Sequence, residues 1–192
     1  MRTPRLVLLV LSFALLPAFA KQAWDFNDTS WTFSVAKLKF GGKAKGIGKV
    51  KAFIETAGDI TISADGTWVL NYAGSEIAAG SWAVKDEFDK SLDLTLSPEG
   101  EAELFDFIEF QLEQNAAGAG VVITVDLDTP VLEKFKLIVK PNLKKQTAKV
   151  KLVAKMKATG TTDGAGVLDA PTNVHAKMTT TSDEVPLANI LP

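Results

Sequence analysis

The chain has 192 residues, of which 46% are hydrophobic, with a formal net charge of −2 and no cysteine. That length supports one domain with its own hydrophobic core, and the lack of cysteine excludes a disulfide-stapled scaffold. Arginine occurs only at positions 2 and 5. Because bidentate phosphate recognition favours arginine, the composition argues against a dedicated nucleic-acid or phosphate reader.

The first twenty residues have the organisation of a secretory signal peptide. Arg2 and Arg5 precede an apolar run over residues 6–16, and Ala18-Phe19-Ala20 is a small-x-small cleavage motif. The run is shorter than a membrane span and is interrupted by Pro17. We therefore expect export with removal of residues 1–20. Export without disulfides indicates a bacterial protein of the periplasm or the extracellular space.

Residues 21–180 are predicted to form one β domain, followed by a C-terminal tail at residues 181–192. The dominant pattern is alternation of apolar and polar residues, which is typical of half-buried strands. Trp31, Phe33 and Val35 share one face, and the pattern shifts at residues 37–40. That shift predicts a β-bulge or a strand end.

Later segments continue this alternation. Asp65-Gly66 separates two apolar runs and predicts a tight hairpin, because both turn positions tolerate positive φ. Residues 148–158 form the longest regular alternation, and a weaker strand is expected at residues 174–178.

One segment breaks the period of two. Ser97-Pro98-Glu99 reads as an N-cap, a proline in the first turn and an early acid. Apolar residues then recur at helical spacing at Leu104, Phe105, Ile108 and Leu112. We expect a helix over residues 98–115. The alternation of Phe105, Phe107 and Phe110 leaves a strand as the alternative.

These elements predict an all-β, mainly antiparallel fold. It would be a single barrel or sandwich of about 8–10 strands with one helix. A membrane-spanning barrel is disfavoured, because one tyrosine cannot build aromatic girdles and a helix interrupts the strands.

Catalytic and metal-binding patterns are weak. His175 is the single histidine, and no G-x-S-x-G motif accompanies it. The glycine-rich residues 41–50 lack the spacing of a phosphate-binding loop, and the acidic residues near 86–89 and 126–128 lack a calcium-loop pattern. We expect no catalytic residue, no metal and no cofactor. A hydrolase that uses two of the many carboxylates is the alternative.

Two tryptophans follow glycine turns. They lie in Gly66-Thr67-Trp68 and Gly80-Ser81-Trp82, followed by a strand around Leu92-Asp93-Leu94. This arrangement resembles bacterial lipocalin-like domains of the calycin type. The resemblance implies a closed barrel that holds a small apolar ligand. In lipocalins the helix follows the barrel, whereas here the predicted helix interrupts the strands.

The leading expectation is therefore an exported, non-catalytic binding protein with an apolar ligand inside a barrel. The residues expected to face that interior are Phe33, Trp68, Trp82, Leu94, Leu137, Leu152 and Met156. The same residues could instead fill a solid core without a cavity.

Charge segregation supports a second hypothesis. Residues 55–128 contain two lysines and sixteen acidic residues, whereas residues 133–157 contain nine lysines and one acidic residue. Opposite charges could attract each other between strands, or a lysine-rich sheet face could bind anionic lipid or polysaccharide. The candidate residues for that face are Lys37, Lys39, Lys149, Lys151, Lys155 and Lys157.

Overall fold

The structure is a computed structural model that describes residues 23–85 and 87–191. The predicted signal peptide and its cleavage site lie outside the described residues. The described chain forms strands, one α-helix and one short 3-10 helix. In chain order these elements are β1 (Thr29–Ala44), β2 (Gly48–Ile62), β3 (Thr67–Tyr72), β4 (Ser75–Ala83), β5 (Ser91–Leu96), α1 (Pro98–Gly118), β6 (Ile123–Asn142), β7 (Thr147–Gly164), β8 (Val167–Thr181), β9 (Val185–Pro186) and the 3-10 helix (Leu187–Ile190).

Strands β1 to β8 form a closed antiparallel barrel. Each strand pairs with the next one in sequence, and β8 pairs back onto β1. The all-β prediction is confirmed, and the barrel is selected over the sandwich. This architecture is the one that the lipocalin resemblance implies. Helix α1 connects β5 to β6, so it interrupts the barrel strands as the sequence indicated.

The barrel wall is uneven in height. Strands β3, β4 and β5 have six to nine residues, whereas β1, β2, β6, β7 and β8 have 15 to 20. Strand β5 pairs with β6 over three residues, Ser91 to Asp93. We call the end at which β3, β4 and β5 complete the wall the closed end; β1 and β8 pair further along, at Leu38–Ala44 of β1. Beyond it the long strands continue, and α1 contacts β2, β4 and β6 across the gap left by the short strands.

Helix α1 begins as the sequence predicts and ends three residues later, at Gly118 instead of residue 115. Ser97 is the N-cap, and its Oγ accepts a hydrogen bond from the Gly100 N–H at 2.9 Å. A Cβ on Gly100 would lie 2.2 Å from the Ala79 carbonyl oxygen. Glycine at this position therefore allows the first turn of the helix to rest directly on β4.

The bulge in β1 is real, but it lies earlier than residues 37–40. The β1–β2 register shifts between Phe33 and Ala36. Trp31 and Phe33 are buried before the shift and Leu38 after it, whereas Val35, expected on the same face as Trp31 and Phe33, lies within the shift and is 48% exposed. The extra residue thus moves the buried positions from odd to even numbers, because strand side chains alternate between the two faces.

The predicted β2–β3 hairpin is present with a different turn geometry. Gly66 has a φ of 88°, whereas the φ of Asp65 is not positive. The Asp65 carboxylate instead accepts a hydrogen bond from the Thr67 N–H at 2.9 Å. The Thr67 hydroxyl donates to the same carboxylate at 2.6 Å, so one left-handed glycine and two side-chain bonds support this turn.

The segment predicted as a tail is packed against the closed end. Strand β9 pairs with β7 just beyond the end of β8. Leu187 and Ile190 in the 3-10 helix are buried, as are Trp24 and Phe26 near the start of the described chain. The Asp25 N–H donates to the Ile190 carbonyl at 3.1 Å, which joins the two segments.

Candidate functional site

The seven residues expected to face a ligand all lie in the apolar core or against it. Trp82 is partly buried and packs against this core. The other six are at most 4% exposed: Phe33, Trp68, Leu94, Leu137, Leu152 and Met156.

The two glycine-associated tryptophans are tightly placed near the closed end. The Trp68 Nε1–H donates to the carbonyls of Ser81 at 2.9 Å and Thr95 at 3.2 Å. The Trp68 ring packs edge-on against Phe135, with ring centroids 4.8 Å apart. The Trp82 Nε1–H donates to the Ser63 carbonyl at 2.9 Å. Both indoles therefore have their polar atom satisfied, while the Trp68 ring fills the interior and the Trp82 ring is partly buried against the core.

A small apolar cavity of about 40 Å³ lies between α1 and the barrel strands. Of the seven expected ligand residues, Met156 lines this cavity. The full lining is Leu38, Phe40, Leu70, Ile77, Leu104, Ile108, Leu132, Phe135, Ala154, Met156, Ala176, Lys177 and Met178.

The outer face of the long strands brings four lysines into one row across the sheet. Lys39 on β1 lies opposite Lys177 on β8, Lys177 lies opposite Lys155 on β7, and Lys155 lies opposite Lys134 on β6. We call these four residues the lysine row. Lys134 is half-buried and the other three are exposed. Exposed Phe53 on β2 extends the row, with the Lys39 Nζ 5.5 Å from the centre of its ring.

Of the six lysines proposed from the sequence, the row contains Lys39 and Lys155. Three of the others have acidic partners: Lys37 with Glu55 at 3.3 Å, Lys149 with Glu184 at 4.0 Å, and Lys157 with Glu133. Lys151 lies opposite Thr181 and Ile138. The structure adds Lys134 and Lys177. Their outward positions follow from alternation with buried neighbours, but their alignment depends on a register that alternation does not specify.

The lysine row has no ion pair in the described part of the chain. Salt bridges within 4.0 Å among those residues involve other lysines. The charge of Lys155 acts on the carboxylate of Glu133, which is itself paired with Lys157. A hydrogen bond from Lys157 lowers the pKa of Glu133, and the charges of Lys155 and His175 lower it further.

The helix carries negative charge instead. Glu99, Glu101 and Asp106 lie along α1, on the side of the molecule where β3 to β5 are short. Burial raises the pKa of Glu103, and the nearby Glu76 carboxylate on β4 raises it further. These acidic side chains of α1 thus lie on a different part of the molecule from the lysine row.

Two more glutamates of α1 bind the edge of β6. The Leu127 N–H donates to Glu109 Oε1 at 2.6 Å, and the Val125 N–H donates to Glu113 Oε1 at 2.9 Å. Burial raises the pKa of Glu109, while the bond from Leu127 acts in the opposite direction. The sequence analysis did not identify these residues, although their four-residue spacing on a predicted helix was visible.

Among residues 23–85 and 87–191, no group of three or more metal-ligating side chains is gathered in one place. The helices of that part are too short or too polar to cross a membrane. His175 is exposed on the outer face, opposite Lys157. No protein-family model matches the chain, and no curated protein matches it either.

Proposed function

We propose that the protein binds anionic surfaces through the lysine row. The observation that carries this proposal is the direct alignment of Lys39, Lys177, Lys155 and Lys134 across four neighbouring strands. Neighbouring strands are about 4.8 Å apart, so the row is about 14 Å long at its backbone. Such a row can contact several phosphate, carboxylate or sulfate groups at once.

The arrangement has a cost in the free protein. Like charges directly opposite each other in a sheet are destabilising. The row has no acidic partner within 4.0 Å among the described residues, so nothing in that part of the chain neutralises it directly. A bound array of anions would offset the repulsion. Lysine is a flexible point charge, which suits a diffuse anionic surface better than recognition of one rigid ligand.

The acidic residues of α1, Glu99, Glu101 and Asp106, support the same function. Helix α1 packs against the inner faces of the strands whose outer faces carry the row, so the sheet separates the acidic residues of the helix from the lysines. A charged surface would orient such a molecule before contact, with the lysine row towards the anions.

Vesicle flotation tests this proposal. Wild-type protein without residues 1–20 is mixed with vesicles of phosphatidylcholine alone or with 30% phosphatidylglycerol, and in a separate arm with dextran sulfate. We expect salt-sensitive binding to at least one anionic partner, because exposed charges are screened within about 8 Å at physiological ionic strength. Lipid binding and polymer binding identify different sources of the anions. Equal retention on neutral and charged vesicles, without polymer binding, would overturn the proposal.

Apolar-ligand binding is the second candidate function, as the lipocalin resemblance implies. The cavity between α1 and the strands favours it, because its lining is almost entirely apolar. The cavity shares Lys177 with the lysine row, and its other lining residues lie outside the row.

A further inference from the structure

We infer that α1 is a movable part of the barrel wall that admits a linear hydrocarbon chain into the cavity beneath it. The inference deepens the second candidate function and rests on it. It moves the ligand site from the packed centre of the barrel to the space under the helix.

The cavity has a roof, a floor and an open side. Leu104 and Ile108 of α1 form the roof, and the strand residues Phe40, Met156 and Met178 lie among those opposite them. Leu132 also lines the cavity and is 36% exposed. The cavity therefore approaches solvent beside Leu132.

The observed volume requires movement. Sites for drug-sized ligands have volumes of roughly 300–1,000 Å³, whereas this cavity has about 40 Å³. A chain of several methylenes enters only if the roof lifts. The floor suits such a change, because methionine side chains rearrange at low cost and Ala154 and Ala176 occupy little space.

The attachment of α1 differs between its two ends. At the start, the Ser97 N–H donates to the Ala79 carbonyl at 3.0 Å, and Gly100 packs against the same backbone. This end is anchored. Further along, the helix is held on β6 by the carboxylates of Glu109 and Glu113. Glu109 and Glu113 are four residues apart, which corresponds to about 6 Å along a helix. Val125 and Leu127 are two residues apart, which corresponds to about 6.6 Å along a strand. The two carboxylates therefore match the spacing of the two N–H groups that they bind.

These carboxylates take the place of a neighbouring strand. Strand β5 pairs with β6 at residues 136–138, and the described part of β6 before residue 136 pairs with β7 alone. Two side-chain bonds are easier to release than a backbone ladder, because each can exchange for water. On the opposite side the helix rests by ring contacts, Phe107 against Phe40 and Tyr72, and borders an open groove near Asn115.

The test uses the neutral fluorescent probe N-phenyl-1-naphthylamine with 1-dodecanol as competitor. We expect saturable fluorescence enhancement that dodecanol reverses and that 0.5 M NaCl leaves unchanged. Ala176→Leu fills the cavity and should weaken binding at least tenfold. Ala83→Leu, on the exposed end of β4, is the matched control and should bind as the wild type does.

A second variant tests whether α1 acts as a gate, that is, whether it must move for the ligand to enter. Replacing both Glu109 and Glu113 by alanine should speed probe association at least threefold, because the open state becomes more populated. If Ala176→Leu does not fold, Ala154→Val replaces it as a smaller filling substitution. Lack of enhancement, or equal binding by wild type and a folded cavity-filled variant, would overturn the inference. Normal probe binding with an unchanged association rate in the double variant would overturn the gate while leaving the second candidate function standing.

Discussion

Lys155 and Lys177 lie directly opposite each other across the β7–β8 ladder, with both side chains exposed. Lys177 has a second lysine on its other side, Lys39 of β1. The centre of the sheet face therefore carries repulsion that the fold does not need. Removing one of these charges should therefore change protein stability and anion binding in opposite directions.

Replacing Lys177 by glutamine should stabilise the protein and weaken its binding to anions. Removing a like charge from the middle of the row relieves two cross-strand repulsions, each worth about 0.2–1 kcal/mol. Thermal unfolding at 20 mM and 500 mM NaCl measures the effect, which should shrink at high salt. Lys144→Gln, in the turn between β6 and β7 with no lysine opposite it in a ladder, is the control. A destabilised Lys177→Gln variant would contradict the account of the row.

The glutamate contact on β6 can be tested with two substitutions at one site. Glu109→Ala leaves the buried Leu127 N–H without its acceptor and should cost about 1–3 kcal/mol of unfolding free energy. Glu109→Gln keeps an oxygen acceptor and should cost less. Urea unfolding measures both. Equal losses of unfolding free energy for the alanine and glutamine variants would show that the hydrogen bond to Leu127 does not account for the destabilisation.

The same residue predicts a pH dependence. Burial raises the pKa of Glu109 in the folded state, so the folded protein holds this proton more tightly than the unfolded chain does. Its contribution to stability therefore falls as pH rises from the ordinary glutamate pKa through the raised folded value. Unfolding free energies between pH 4 and 7 should show wild type losing stability relative to Glu109→Gln. A constant difference over that range would refute the prediction.

Trp68 should matter more to stability than Trp82. Trp68 is 0% exposed and packs on Phe135, whereas Trp82 is only partly buried. Trp68→Ala should destabilise by about 3–5 kcal/mol, the usual cost of emptying a large core site. The loss for Trp82→Ala should be smaller. Chemical unfolding of both variants checks the order, and a reversed order would contradict the packing described.

The sequence predicted best what depends on neighbouring residues. Alternation identified the inward side of β7, and the Ser97 cap and Pro98 located the start of α1. The charge of each strand could also be read directly. These features are local, so they need no knowledge of which strand lies beside which.

What the sequence did not predict depends on long-range register. The Lys39–Lys177–Lys155 alignment joins three strands, and one bulge changes which residues meet. The contacts of Glu109 and Glu113 with β6 require the helix to occupy a gap that exists because β3 to β5 are short. The cavity likewise results from packing between distant segments.

The most direct test compares two variants of equal net charge on vesicles containing 30% phosphatidylglycerol and on dextran sulfate, at low salt. One replaces the lysine row by glutamine, and the other replaces Lys85, Lys140, Lys144 and Lys145. Near an anionic membrane each lysine contributes about 1 kcal/mol. We predict that the row variant loses at least tenfold in affinity for the anionic partner and that the control variant loses much less. Equal losses would mean that overall charge alone drives binding, and would contradict a site at the row.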